Sequence, residues 1–137
     1  MGRRTLSSQL QYIFMINLLV DEGYAFDYLA ILRIKYNRTN NPDVAGHLAE
    51  CERSVLDQIK SKLFSEVKRS KEYHQLYESN LQVFDSIEKL RSGQDISAKE
   101  IDDLNTARFI CKKNLQNKFF KTPIKEFKTT NGHSSGE

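Results

Sequence analysis

Proline and glycine are scarce in this chain, two and six among 137 residues. An all-β domain needs many turns rich in both, so their scarcity over this length favours long helices. Only two cysteines are present, Cys51 and Cys111. Sixty positions apart, they form neither a metal-ligand spacing nor a Cys-x-x-Cys motif. Each falls on an apolar helical stripe, where a reduced thiol behaves as a small hydrophobe. No apolar run approaches the about 20 residues that cross a bilayer. The longest, Tyr12 to Val20, follows Arg3 and Arg4 as a signal sequence would. It runs into Asp21-Glu22-Gly23 without a small-residue cleavage site, and Leu6 stands where myristoylation wants Ser or Thr. The run therefore reads as a core helix of a cytoplasmic protein with no membrane partner. A glycine-rich phosphate loop is missing, as is any Ser/His/Asp or Cys/His constellation. These gaps lean away from an enzyme and from any cofactor.

What is present is helical periodicity. Hydrophobic residues make up 39% and charged residues 28%, a balance suited to one domain with a real core. Between residues 5 and 37, Leu10, Ile13, Asn17, Val20 and Tyr24 step by three or four, as do Ala25, Leu29, Leu32 and Tyr36. A break at residues 21–23 is expected between the two sets, with Asp21 as a cap and Gly23 as a helix end or a tolerated interior glycine. Asn37 to Asn41 predicts a turn, and Asn41-Pro42 a helix start, because proline at the first helical position sacrifices no needed N–H. Val44, Leu48, Cys51, Val55, Ile59, Leu63 and Val67 then predict one long amphipathic helix. Tyr73, Leu76, Asn80, Val83, Ile87 and Leu90 form a heptad-like seam, which Ser70 could cap or which could continue the preceding helix. Ser92-Gly93 ends it. Ser97-Ala98-Lys99-Glu100 is a capping box, with Ile96 and Ile101 as its hydrophobic staple. Ile101, Leu104, Arg108, Cys111, Leu115 and Phe119 face one way on the last helix, before Pro123. The expectation is an all-α antiparallel bundle of four or five helices, one domain over residues 1–128, and a disordered polar tail over 129–137.

One stretch resembles a known family. Gly23-Tyr-Ala-Phe-Asp27-Tyr-Leu29-Ala-Ile31-Leu32-Arg-Ile34-Lys35 is similar to the opening helix of small helical bacterial and phage proteins of uncharacterised function, Gly-x3-Asp-x-Leu-x-Ile-Leu-x-Ile-Lys. The similarity covers these thirteen residues and departs from the family at Tyr28 and Arg33. It implies an all-α fold of bacterial or phage type and no particular activity.

Three groups of residues are candidate sites. The net charge of +3 is unevenly distributed: from Arg108 onward the chain carries +5, against −2 before it. Arg108, Lys112, Lys113, Lys118, Lys121, Lys125 and Lys128, interleaved with Phe109, Phe119, Phe120 and Phe127, could neutralise phosphates and stack bases of a nucleic acid. Asp85-x-x-Glu88 and Glu100-x-x-Asp103 face each other if their helices form a hairpin. They resemble, loosely, the paired acidic helices with which all-α nucleotide pyrophosphohydrolases hold Mg²⁺, although Glu100 is occupied by its capping box. Tyr24, Tyr28 and Tyr36 line one helix flank, and aromatic residues are enriched at protein interfaces. Among the histidines, His47 shares a face with Asp43 and Glu50 but lacks the matching pairs of a di-metal bundle. Asn17, Asn80 and Arg108 are polar interruptions of apolar seams, and Arg108 is a plausible partner for Asp27. The leading expectation is a non-enzymatic protein acting by helix–helix contact as a homodimer. Nucleic-acid binding through residues 108–128 is the alternative.

Overall fold

The computed structural model describes residues 16–125, which form five helices and, among the described residues, no strand. They are α1 (Glu22–Thr39), α2 (Pro42–Gln58), α3 (Ser61–Arg69), α4 (Lys71–Arg91) and α5 (Ala98–Phe119). The chain is all-α. No helix among these residues is long and apolar enough to cross a membrane. The tail expected at 129–137, Lys128 and Phe127 lie outside the described residues.

The first correction concerns the apolar run. Residues 16–20 are neither helical nor in the core; Ile16, Leu18, Leu19 and Val20 are all exposed. Residues 12–15 lie outside the described residues. The helix begins only after Asp21, whose extended backbone stops it from running back into the run. Asp21 occupies the cap position as expected, but its carboxylate accepts no bond from the first turn; it takes the N–H of Lys125 at 2.8 Å instead.

At its other end α1 runs three residues, Asn37 to Thr39, into the expected turn. Asn40 adopts the left-handed conformation (φ 52°) and donates its N–H to the Tyr36 carbonyl. Asn41 then caps α2, its side chain accepting the Asp43 N–H at 2.8 Å with Pro42 at the first position. This is the start the residues predicted.

The second correction is the long helix, which breaks at Ile59 and Lys60 into α2 and α3, both residues extended. The stripe itself explains the break. Steps of four overshoot the 3.6-residue turn by about 40° each, so the four from Cys51 to Val67 would carry it about 160° around a straight rod. Breaking the helix resets the phase. Cys51 and Val55 before the break and Leu63, Phe64 and Val67 after it then all reach one core.

Ser70 resolves the remaining ambiguity by serving two helices. Its hydroxyl donates to the Val67 carbonyl at the end of α3 and accepts the Tyr73 N–H at the start of α4. α4 is therefore separate. Gly93, at φ 92°, turns the chain after α4, and the capping box at Ser97 and Glu100 is fully formed.

α1 is the central helix, touching α2, α4 and α5, while α4 and α5 form the most extensive pair. Phe26, Leu29, Ala30 and Leu32 of α1 meet Leu48, Val67, Tyr73, Leu76 and Leu115 in the core. The start of α1 adjoins the end of α5 through Glu22 and Gln116. Its end adjoins that of α4, where Arg38 binds Asp85 and Glu88.

Candidate functional site

Two of the three polar interruptions converge. Asp27, 2% exposed, projects from α1 between α4 and α5. Arg108 grips it with two bonds, Nε to Oδ1 at 3.1 Å and Nη2 to Oδ2 at 2.6 Å. Asn80 donates to Oδ1 at 2.7 Å and to the Leu76 carbonyl at 3.1 Å. Lys112, only 3% exposed, brings its Nζ to 4.0 Å from Oδ2 and 5.2 Å from the centre of the Tyr24 ring. One carboxylate thus ties three helices together. Among the described residues no buried side-chain nitrogen or oxygen lacks a hydrogen-bond partner. So complete a set of partners around a buried carboxylate makes this cluster a fastening of the fold. Asn17, the third interruption, lies in the exposed segment before α1.

A second fastening lies one turn away. Gln116, fully buried, accepts the Gly23 N–H on Oε1 at 2.7 Å and donates from Nε2 to Glu22 and Thr122. It performs the capping that Asp21 does not. Gly23 is helical and belongs here for its lack of a side chain: a Cβ would stand 2.9 Å from the Lys112 carbonyl oxygen and 3.2 Å from Gln116 Oε1. The backbone oxygen cannot rotate away, so α1 and α5 would have to part. Gly23→Ala should therefore destabilise the protein by about 1–3 kcal/mol, as overpacking does, despite alanine's better helix propensity. Urea unfolding measures it, and a stabilised variant would contradict the close approach.

The tyrosine flank is partly as expected. Tyr24 and Tyr28 are 42% and 39% exposed, whereas Tyr36 is half-buried and separated from them by the buried Leu32. The Tyr28 hydroxyl meets His47 Nε2 at 3.0 Å, with the rings edge to face. Behind the histidine, Cys51 Sγ lies 3.7 Å from Nε2 and 4.0 Å from Nδ1. Burial, then the nearby Glu50 and Glu52 carboxylates, push the Cys51 thiol above its ordinary pKa, and burial raises that of Tyr28. The thiol is thus protonated at neutral pH and is no ready nucleophile. Sequence reasoning missed this pair, although His-x-x-x-Cys on one helix was its signal.

The other candidates are dispersed. Asp85 and Glu88 clamp Arg38 at 2.7 and 2.8 Å. Asp103 pairs with Lys99, and Glu100 closes the capping box. Asp85, Glu100 and Asp103 do line one open groove of about 520 Å³ with Asp95 and Lys89. Even so, no group of three or more His, Cys, Asp or Glu among the described residues is placed to hold a metal ion. Of the basic set, Arg108 and Lys112 turn inward to Asp27, while Lys113, Lys118, Lys121 and Lys125 are exposed. Phe119 and Phe120 pack against the core. Comparison with protein-family models, with curated proteins and with solved structures yields no match.

Proposed function

We propose that this chain is a non-enzymatic interaction protein that works as a homodimer, joined helix to helix across the exposed flank of α1. One observation carries the reading. The aromatic rings of Tyr24 and Tyr28 are partly exposed on the central helix, and the more exposed Ile16, Leu18, Leu19 and Val20 lead into them. A run of apolar side chains in water of this extent marks a contact surface. Tyrosine suits such a place because its ring buries a large area while its hydroxyl keeps a polar partner, here His47 for Tyr28.

Nucleic-acid binding has less to draw on. Two of its seven cations are committed to Asp27, and two of the phenyl rings it would stack on bases are packed against the core.

Sedimentation of the full chain at high micromolar concentration should give about twice the 15.9 kDa monomer mass. Charged replacements on the flank, Tyr24→Glu with Tyr28→Glu, should return it to a monomer with unchanged helical circular dichroism. A wild-type monomer at that concentration would defeat the reading.

A further inference from the structure

We infer that the apolar run ahead of α1 docks on the surface of a membrane containing anionic phospholipid, with the lysines at the end of α5 as its electrostatic partners. The inference stands apart from the dimer reading, which concerns the α1 flank bearing Tyr24 and Tyr28.

The run is uncovered and held in a defined place. Ile16, Leu18 and Leu19 are 81%, 76% and 105% exposed, and Val20 is half-exposed. They close the stretch from Tyr12 to Val20, in which Asn17 is the one residue without an apolar side chain. Just after it, Asp21 accepts the Lys125 N–H and Gln116 accepts the Gly23 N–H. These two bonds fasten the chain where it enters α1, so the run stands at the end of the bundle, outside the core cluster.

Exposed cations stand at the same end. Lys118 lies in the last turn of α5, Lys121 takes the left-handed position after it (φ 59°), and Lys125 follows. Gln116 joins this end to the start of α1 by donating to both Glu22 and Thr122. Leu19, Val20 and Tyr24 line one open hollow of about 500 Å³ with Thr122, Pro123 and Lys125. The two carboxylates nearby, Asp21 and Glu22, are half-buried and accept bonds from Lys125 and Gln116, whereas the three lysines face water.

Aliphatic side chains beside lysines match a lipid surface. Leucine, isoleucine and valine gain by entering the acyl boundary, tyrosine suits the headgroup level, and the long lysine stems let their charges reach lipid phosphates. A nucleic acid would supply phosphates but no apolar layer, and the run from Ile16 to Val20 has no ring to stack on bases. A second copy meeting this end by two-fold symmetry would set lysines against lysines. No helix among the described residues is long and apolar enough to cross a bilayer, and contact with one face requires no crossing.

Cosedimentation of the full chain with lipid vesicles tests this. Vesicles of phosphatidylcholine mixed with phosphatidylglycerol should carry the protein down, and pure phosphatidylcholine should bind it about tenfold less, because each lysine near an anionic surface adds to the attraction. High salt should weaken binding to the mixed vesicles. Leu18→Ser with Leu19→Ser, and separately Lys121→Gln with Lys125→Gln, should each weaken it about tenfold or more. Helical circular dichroism should be unchanged in both, since all four side chains are exposed. A wild-type chain that ignores the mixed vesicles overturns the inference. Binding that survives the serine pair overturns it too, as charge attraction without insertion. If the serine pair instead turns a wild-type dimer into monomers and vesicle binding is absent, the run belongs to a second copy and the lipid surface is wrong.

Discussion

Replacing Asp27 by alanine is expected to destabilise the fold by about 3–5 kcal/mol, the range seen when one member of a buried ion pair is removed. The size follows from what is left behind. Arg108 keeps about a quarter of its side chain in contact with water and can turn outward, but Lys112 is enclosed between α1 and α5. Without the carboxylate, Lys112 must keep its charge in a medium that solvates it poorly or pull α5 away to reach water. Asn80 loses one of its two acceptors at the same moment. Arg108→Met should be milder, because Asn80 and Lys112 remain on Asp27. The two changes together should fall short of their sum, with a coupling of roughly 0.5–3 kcal/mol for groups in direct contact. Chemical denaturation of the four proteins in the cycle measures it. A loss below about 1 kcal/mol for the alanine variant would mean that the core does not depend on the carboxylate.

Such a cluster does more for uniqueness than for strength. Ion pairs out of water gain little net energy over a well-packed apolar set. They do penalise every arrangement in which the partners miss each other. Asp27 reaches Asn80 53 positions away and Arg108 81 positions away. A one-turn slip of α5 against α1 would strand all of these groups, so the cluster fixes the relative heights of three helices whose apolar stripes alone would tolerate sliding.

Much of this was visible beforehand, for identifiable reasons. Capping residues act within about three positions: Asn41 and Ser97 bond as the residues predicted, and Ser70 caps α4, one of the two alternatives left open for it. Asn80 and Arg108 declared themselves by interrupting apolar seams, which a polar side chain does in a folded protein only with a partner. Lys112 gave no such sign, because a lysine among lysines reads as surface and its burial depends on where α1 lies. Gly23 was read through its own backbone freedom, while its use lies in how closely Lys112 and Gln116 approach it. The break at Ile59 was legible in principle from the accumulated drift of four-residue steps, a quantity that a list of spacings conceals. The His47–Cys51 pair escaped because the histidine reads first with Asp43 and Glu50, and Cys51 as a member of the apolar stripe, whereas the fold aligns the two on one turn of α2.

Phe26→Ala should be comparable in size, about 3–5 kcal/mol for a buried phenylalanine cut back to its Cβ, but different in form. Phe26 is 1% exposed, and its ring meets three others: Phe64 of α3 at 5.7 Å between centres, Tyr73 of α4 at 6.4 Å, and Phe120 after α5 at 6.2 Å. It is the only one of the four that touches all the rest among these ring pairs, so its removal opens a cavity where three helices and the chain after α5 converge. α3 should suffer first. At nine residues it is shorter than the roughly 12–15 at which an isolated helix becomes marginal in water, so its helicity rests on docking Phe64 and Val67 into this core. Amide exchange across Ser61–Arg69 should therefore accelerate in the variant beyond what the global loss of stability accounts for, while α4 and α5 keep their order of protection. The aspartate variant should show the opposite emphasis, loosening α5 against α1 and sparing α3. If both variants lowered protection evenly along the chain, the ring cluster and the ion cluster would be parts of one cooperative core, and the separate duties assigned to them would be wrong.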